Sequence, residues 1–327
     1  MTSLAATVPL AHGARWRACF VDAGPALAEL FERLRRAGDP PVHVNRQPDV
    51  KPDELPTVMD GAPIAIVDHT ALPTAVAARC AGLEHVVFLG TGARSYMDPE
   101  ALASLGIAVH TIKGYGDTAV AECAFALMWA AARGLAGMDR EIRQGRWPRT
   151  DGMQLRGKTL GLIGFGGIAQ ELARLALGAG LQVIAWNRSP REHAGVEFVG
   201  VDALLASSHL VSLHLLLTDE TRGFLSRERI AAMRDGAILV NTARGALLDE
   251  AALVDALTAG KLAHAGLDVF TVEPLPARHP FTTLPNVTLS AHSAFRTPEA
   301  SINLIEAALA HCRRIAAGGA SEAGLRR

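Results

Sequence analysis

Short runs of Val, Ile, Leu and Ala, bounded by Gly, Pro or Asp, alternate along the chain with longer stretches of helical amphipathic spacing. "RACFVD" (17–22) reads as a first strand, and "PALAELFERLRRAG" (25–38) as a helix stopped by Gly38. "APIAIVD" (62–68), "LEHVVFLG" (83–90) and "GIAVHTI" (106–112) are predicted strands, separated by the helical "PTAVAARCAG" and "DPEALASLG". Segment 40–60 is rich in Pro, Asp and Lys and is expected to lie on the surface. A second run of alternation begins near residue 158. Its strands are "TLGLIG", "LQVIAW", "LVSLHL", "AILVNT", "HAGLDV" and "VTLSA"; its helices include 168–180, 227–236 and 250–260. Strand–helix–strand units of this length imply a parallel sheet with helices on its faces.

The expected fold class is therefore α/β, with two doubly wound parallel-sheet domains of Rossmann-like and flavodoxin-like type. The first covers 1–113, opening with a loose N-terminal arm, and is completed by the terminal helical segment within 293–327; the second covers 114–292. A chain of 327 residues is long enough for two cores. The longest apolar run, "AVAECAFALMWAAA" (119–132), carries Glu122 and falls short of the roughly 20 residues a membrane span needs. It is expected to be a buried helix, so no membrane partner is expected.

Charge and cysteine usage narrow the function. The 32 basic and 33 acidic residues nearly cancel, and no basic stripe suggests a nucleic-acid partner. The four cysteines (Cys19, Cys80, Cys123, Cys312) form no CxxC pair, which argues against a zinc site or disulfide framework and for a reducing compartment. No basic n-region precedes the first apolar run, so a signal peptide is not expected and a cytoplasmic location is.

The continuous stretch "GLIGFGGIAQELARLALGAGLQVIAWNRSP" carries the clearest chemistry. Gly164, Gly166 and Ala169 form G-x-G-x-x-A between a predicted strand and a predicted helix. Gly164 permits the turn, Gly166 lets backbone approach a pyrophosphate, and the helix N-terminus favours the anion. The residue that meets the adenine ribose is expected about 20 positions on. Asn187 stands 23 residues after Gly164, followed by Arg188 and Ser189. No carboxylate is there to repel a 2′-phosphate, and Arg188 suits one, so NADP(H) is favoured with NAD(H) possible.

Three further strand ends carry ionisable groups after apolar runs: Arg244 in "GAILVNTARGALLDE", Asp268 and Glu273 in "HAGLDVFTVEPLP", and His292 in "VTLSAHSAF". Ligands of open α/β sheets bind beyond such ends. Singly, each has a structural explanation. Together they supply what reduction of a carbonyl beside a carboxylate requires. Arg244 would grip the carboxylate, His292 would donate a proton to the carbonyl oxygen, and Glu273 would hold the imidazole charged and oriented. The small residues Ser293 and Ala294 leave room for a ring and a substrate.

These residues resemble the D-isomer-specific 2-hydroxyacid dehydrogenases, with their phosphoglycerate dehydrogenase and glyoxylate or hydroxypyruvate reductase branches. The resemblance runs from about residue 62 to 300, through "GYGDTAVAE", "LGLIGFGGIA", "VSLHLLLTDETRGF", "LVNTARGALLDEAAL", "GLDVFTVEPLP" and the His292 segment. It implies an active-site cleft between two α/β domains and Arg244, Glu273 and His292 as catalytic residues. Asp268 would contact the nicotinamide carboxamide. Thr118, Gly167, Ile168, His214, Leu215, Thr242 and Ala243 would line the cofactor site. Gly90, Thr91 and Gly92 would present backbone N–H groups to the substrate carboxylate, although an ordinary turn fits them equally well. "VDHTALP" (67–73) aligns loosely with another substrate loop. The helix after "GYGD" implies a homodimer. The partner is a small 2-keto or 2-hydroxy acid, interconverted with a nicotinamide cofactor. The alternative is a dinucleotide-sensing regulatory protein of the corepressor type, which the intact Arg–Glu–His set disfavours. Asn187 and Arg188 depart from the family's usual acid, and Ser293-Ala294-Phe295 from its glycine-rich run.

Overall fold

The structure, a computed structural model, describes residues 17–189 and 191–318; the expected N-terminal arm lies outside the described residues. The chain divides into two units, residues 1–116 with 297–327, and residues 117–296.

The first unit opens with β1 (Ala18–Phe20), α1 (Pro25–Leu34), β2 (Val42–Val44), α2 (Leu55–Met59) and β3 (Ile64–Val67). It continues through α3 (Thr74–Ala77), β4 (His85–Phe88), α4 (Pro99–Ser104) and β5 (Ala108–Thr111). Its five strands lie in the order β2-β1-β3-β4-β5 and pair in parallel. Segment 40–60 is not all surface. It contains β2 and α2, with Val42, Leu55 and Met59 buried. A three-residue edge strand and a single helical turn are too short to leave a period in the sequence.

The second unit opens with α5 (Asp117–Arg133), α6 (Leu135–Arg143), β6 (Thr159–Ile163), α7 (Gly167–Gly178) and β7 (Gln182–Trp186). Then follow β8 (Val196–Phe198), α8 (Val201–Ser207), β9 (Leu210–Leu213), α9 (Arg227–Ala232) and β10 (Ala237–Asn241). α10 (Glu250–Thr258), β11 (Leu262–Leu267) and β12 (Val287–Leu289) complete it. The seven strands run in the order β12-β11-β10-β9-β6-β7-β8, all pairs parallel. The chain winds outward from β6 through β7 and β8, then returns to β9 on the other side of β6. That reversal opens a crevice beyond the carboxyl ends of β6 and β9, where open parallel sheets bind ligands. Helix α5 is buried along Ala121, Ala124, Leu127, Met128, Ala131 and Ala132, against α7 and the sheet. Among the described residues no single helix is long and apolar enough to cross a membrane.

The last helix, α11 (Pro298–Ala316), belongs to the first unit. Thr297 caps it by accepting from the Ala300 N–H at 3.1 Å, with Pro298 at the first position. Leu304, Ile305, Ala308, Leu309, Cys312 and Ile315 recur at helical spacing and pack with Phe20, Phe31, Val87 and Leu89. Arg313 grips Asp39 through Nε and Nη2, the latter at 2.9 Å, and this pairing pulls the Asp39 pKa below its ordinary range. The apolar stripe anchors the helix, and the two-pronged ion pair sets its axial position.

Candidate active site

The crevice of the second unit is built first from its glycines. Gly164 ends β6 with φ +89°, a left-handed conformation that disfavours any side chain. A Cβ there would also fall 2.7 Å from the His214 carbonyl oxygen, so the glycine lets the ends of β6 and β9 close together. Beyond it, Gly166 precedes α7 and faces open space, with no atom within 4 Å of where a Cβ would stand. The first N–H groups of α7 are therefore not screened by a side chain at this position, as a helix N-terminus that receives an anion requires. Gly167 is exposed, and a Cβ on it would strike the Asp117 carboxylate. Burial, then the nearby Glu171, raises the Asp117 pKa. The sequence reading missed this acid, although it immediately precedes Thr118 in "GYGDT". Thr118 is exposed at the start of α5, and Ile168 is half-buried in the first turn of α7.

Two orphaned polar groups lie nearby. Among the described residues, Nε2 of His214, just past β9, is buried without a hydrogen-bond partner, as is Oγ1 of Thr242, just past β10. Burial pushes the His214 pKa down to about 4, so the ring is neutral at pH 7. Unpartnered buried polar atoms are costly unless a ligand satisfies them. Leu215 and Ala243, beside them, are half-buried. Glycines that clear a helix N-terminus, with orphaned polar groups at the next two strand ends, fit a bound dinucleotide.

At the end of β7 the side chains are already engaged. Asn187 accepts from the Phe165 N–H at 3.2 Å and donates to the Ser189 carbonyl at 2.9 Å, which ties this strand end to the glycine loop. Arg188 and Ser189 are exposed, and Arg188 pairs with Glu220 at 3.1 Å.

Two of the three ionisable strand ends meet as a second cluster. His292 Nδ1 lies 2.6 Å from Glu273 Oε2, and the other oxygen of Glu273 accepts the Phe270 N–H at 2.9 Å. His292 sits at φ +47°. A left-handed residue with a Cβ costs about 1–2 kcal/mol, which its surroundings must offset. Asp268 supplies that restraint. Fully buried, it accepts from Ser290 Oγ at 2.6 Å and from the Ser293 and Ala294 N–H groups at 3.0 Å each. Its own carbonyl accepts the His292 N–H at 2.7 Å. Asp268 is thus the internal post around which the His292 loop is wound, a role the sequence reading did not foresee. Replacing it by Asn would turn an amide hydrogen toward donors. Asp268→Asn is therefore expected to cost about 2–3 kcal/mol, read as a lowered denaturation midpoint; an unchanged midpoint would refute this role.

The turn that carries Arg244 touches the Glu273 loop through the neighbouring Gly245. A Cβ on Gly245 would fall 2.0 Å from the Phe270 carbonyl carbon, so the loops after β10 and β11 touch backbone to backbone. Arg244 itself is half-buried and donates from Nη1 to the Ala243 carbonyl at 2.6 Å. Asn241 braces the turn by donating to the Arg244 carbonyl at 2.9 Å and accepting from the Ala243 N–H at 3.0 Å. Glu250 at the start of α10 accepts the Thr271 N–H at 2.7 Å and so steadies the Glu273 loop. Neither brace was singled out from the sequence, because only the fold puts them beside these turns.

In the first unit, Gly90 is buried and its N–H is used by the Phe88 carbonyl at 2.9 Å, which leaves Thr91 and Gly92 as the candidates for backbone contact. The loop after β3 is fastened by Asp22, fully buried, which accepts N–H groups of Asp68, His69 and Thr70 at 2.7–2.9 Å. Asp68 beside it and Asp22 behind it hold the His69 pKa up at about 9, against the opposing pull of burial.

Comparison with known proteins agrees with this architecture. Residues 125–294 match the model of the D-isomer specific 2-hydroxyacid dehydrogenase NAD-binding domain. The chain belongs to that family, and its second unit carries the family's nicotinamide dinucleotide-binding fold. Over 219 residues, 64% of this chain, it is 42% identical to a hydroxypyruvate reductase of Thermotoga maritima, spanning 72% of that protein. Over 221 residues, again 64% of this chain, it is 39% identical to a glyoxylate reductase of Aeropyrum pernix, spanning 66% of it. A crystal structure of a Thermus thermophilus protein superposes with TM-score 0.79 at 35% identity, over 89% of this chain and 94% of that one.

Proposed function

We propose that the protein reduces a small 2-keto acid of the glyoxylate or hydroxypyruvate type to its D-2-hydroxy acid, with NADP(H) preferred over NAD(H). The observation that carries this reading is the 2.6 Å contact between His292 Nδ1 and Glu273. With Nδ1 committed to a carboxylate, Nε2 is the atom left to give a proton to a carbonyl oxygen. Arg244 binds the substrate carboxylate, and its fixed fork of donors selects a planar anion. The loop wound around Asp268 fixes the backbone that carries the imidazole. Gly164, Gly166, Gly167 and Ile168 receive the cofactor pyrophosphate, while Thr118, His214, Leu215, Thr242 and Ala243 line its nicotinamide half. A bound reduced nicotinamide supplies the hydride, and the protein supplies proton, anchor and orientation. The two reductases named above support a glyoxylate- or hydroxypyruvate-sized substrate. Asn187, Arg188 and Ser189, with no acid among them, support the phosphorylated cofactor.

The test is kcat/KM for glyoxylate, hydroxypyruvate and larger 2-keto acids, each with NADPH and NADH. A several-fold preference for NADPH on the small acids is expected; preference for NADH would overturn the cofactor assignment, and preference for a bulky acid the substrate assignment. We also propose a homodimer. Among the described residues nothing fully buries any residue of helix α6, and Leu135 and Ile142 are half exposed, with Trp147 beyond them 76% exposed. Such a patch is suited to a second copy; a monomeric particle by light scattering would contradict it.

A further inference from the structure

We propose that Glu220 sets the cofactor preference by competing, as an internal counterion, for the arginine that binds the 2′-phosphate of NADP(H). This rests on the assignment of Arg188 to that phosphate. Arg188 follows β7, while Glu220 lies in the segment after β9, and the sheet order is β9-β6-β7. Their 3.1 Å contact therefore joins segments that leave the strands on either side of β6. Glu220 is not on a loose tether. Thr221 Oγ1 donates to the Leu216 carbonyl at 2.6 Å and accepts the Thr218 N–H at 2.8 Å, and the Arg222 N–H reaches the Thr218 carbonyl at 2.9 Å. This folded turn fixes the backbone that carries Glu220.

Both side chains are largely exposed, at 83% and 77%, so water and salt screen the pair and a phosphate can displace it. A dianionic 2′-phosphate must take Arg188 from Glu220 and then tolerate the carboxylate nearby. A 2′-hydroxyl meets neither demand. Glu220 thus weakens NADP(H) selectively, and holds in check a preference that Arg188 alone would make steeper.

The experiment is a double-mutant cycle on the full-length protein, with KM for NADPH and NADH measured at low salt. Glu220→Gln is expected to lower KM for NADPH about two- to five-fold, the range of an exposed ion pair, and to leave KM for NADH the same. In an Arg188→Gln background the Glu220→Gln change is expected to have a smaller effect, since only the repulsion between carboxylate and phosphate is left, and high salt should shrink the wild-type difference. An unchanged KM for NADPH in Glu220→Gln, with Arg188→Gln raising it, would overturn the competition and leave the role of Arg188 standing. If Arg188→Gln itself leaves KM for NADPH unchanged, the cofactor assignment falls and the competition with it.

Discussion

Replacing His292 by alanine is expected to lower kcat/KM for the keto acid by about 10²–10⁴, the usual contribution of a positioned general acid. The loss should fall on kcat, because the imidazole acts as charge builds on the carbonyl oxygen and adds little to binding of the ground state. The side chain is one-third exposed and touches Glu273, so its removal opens no core cavity. Denaturation midpoint and KM for the cofactor should stay close to wild type. Steady-state kinetics with both readouts check this. Turnover within a factor of two of wild type would remove His292 as proton donor.

The second large effect is expected at Arg244. Arg244→Ala removes the charged fork that holds the substrate carboxylate, and kcat/KM should fall by about 10²–10³, the equivalent of roughly 3–4 kcal/mol. Arg244→Lys should recover only part of it, since an ammonium keeps the charge and loses the planar two-point grip. Because the substrate is small, losing its anchor also frees the carbonyl to rotate away from His292. The fall is therefore expected in kcat as well as in KM. Added guanidinium ion, measured against activity of the alanine variant, gives an independent check through partial rescue. An alanine variant whose KM for the keto acid is unchanged would refute the anchor.

Much of the fold was legible in the sequence. The long helices declare themselves: α7 and α11 because burial of one face is written at every third or fourth residue, and α5 because it is an apolar run too short to span a membrane. The glycine loop is legible because Gly164 takes a left-handed turn that few other residues allow, and Gly166 leaves the start of a helix clear of a side chain. Arg244, Glu273 and His292 stand out because charged groups directly after apolar strands are poor core material. Edge strands β2 and β8, three residues each, left no such trace. Nor did the interactions that join distant positions. Nothing local to Asp268 announces that it fastens Ser290, Ser293 and Ala294. Nothing near Arg188 points to Glu220, 32 positions on. Such pairings follow from strand order, which the sequence pattern does not specify. Asn187 illustrates the difference. Its position after β7 was readable, while its use as a brace on Phe165 depends on where the glycine loop comes to rest.

The central claim is that the strand ends of the second unit form an apparatus for stereospecific reduction of a 2-keto acid. Its most direct test is chiral analysis of the product when the purified protein is given hydroxypyruvate and NADPH. Consumption of one NADPH per molecule of D-glycerate, with no L-isomer, is expected. No oxidation of NADPH or NADH with any small 2-keto acid, or formation of the L-product, would contradict it.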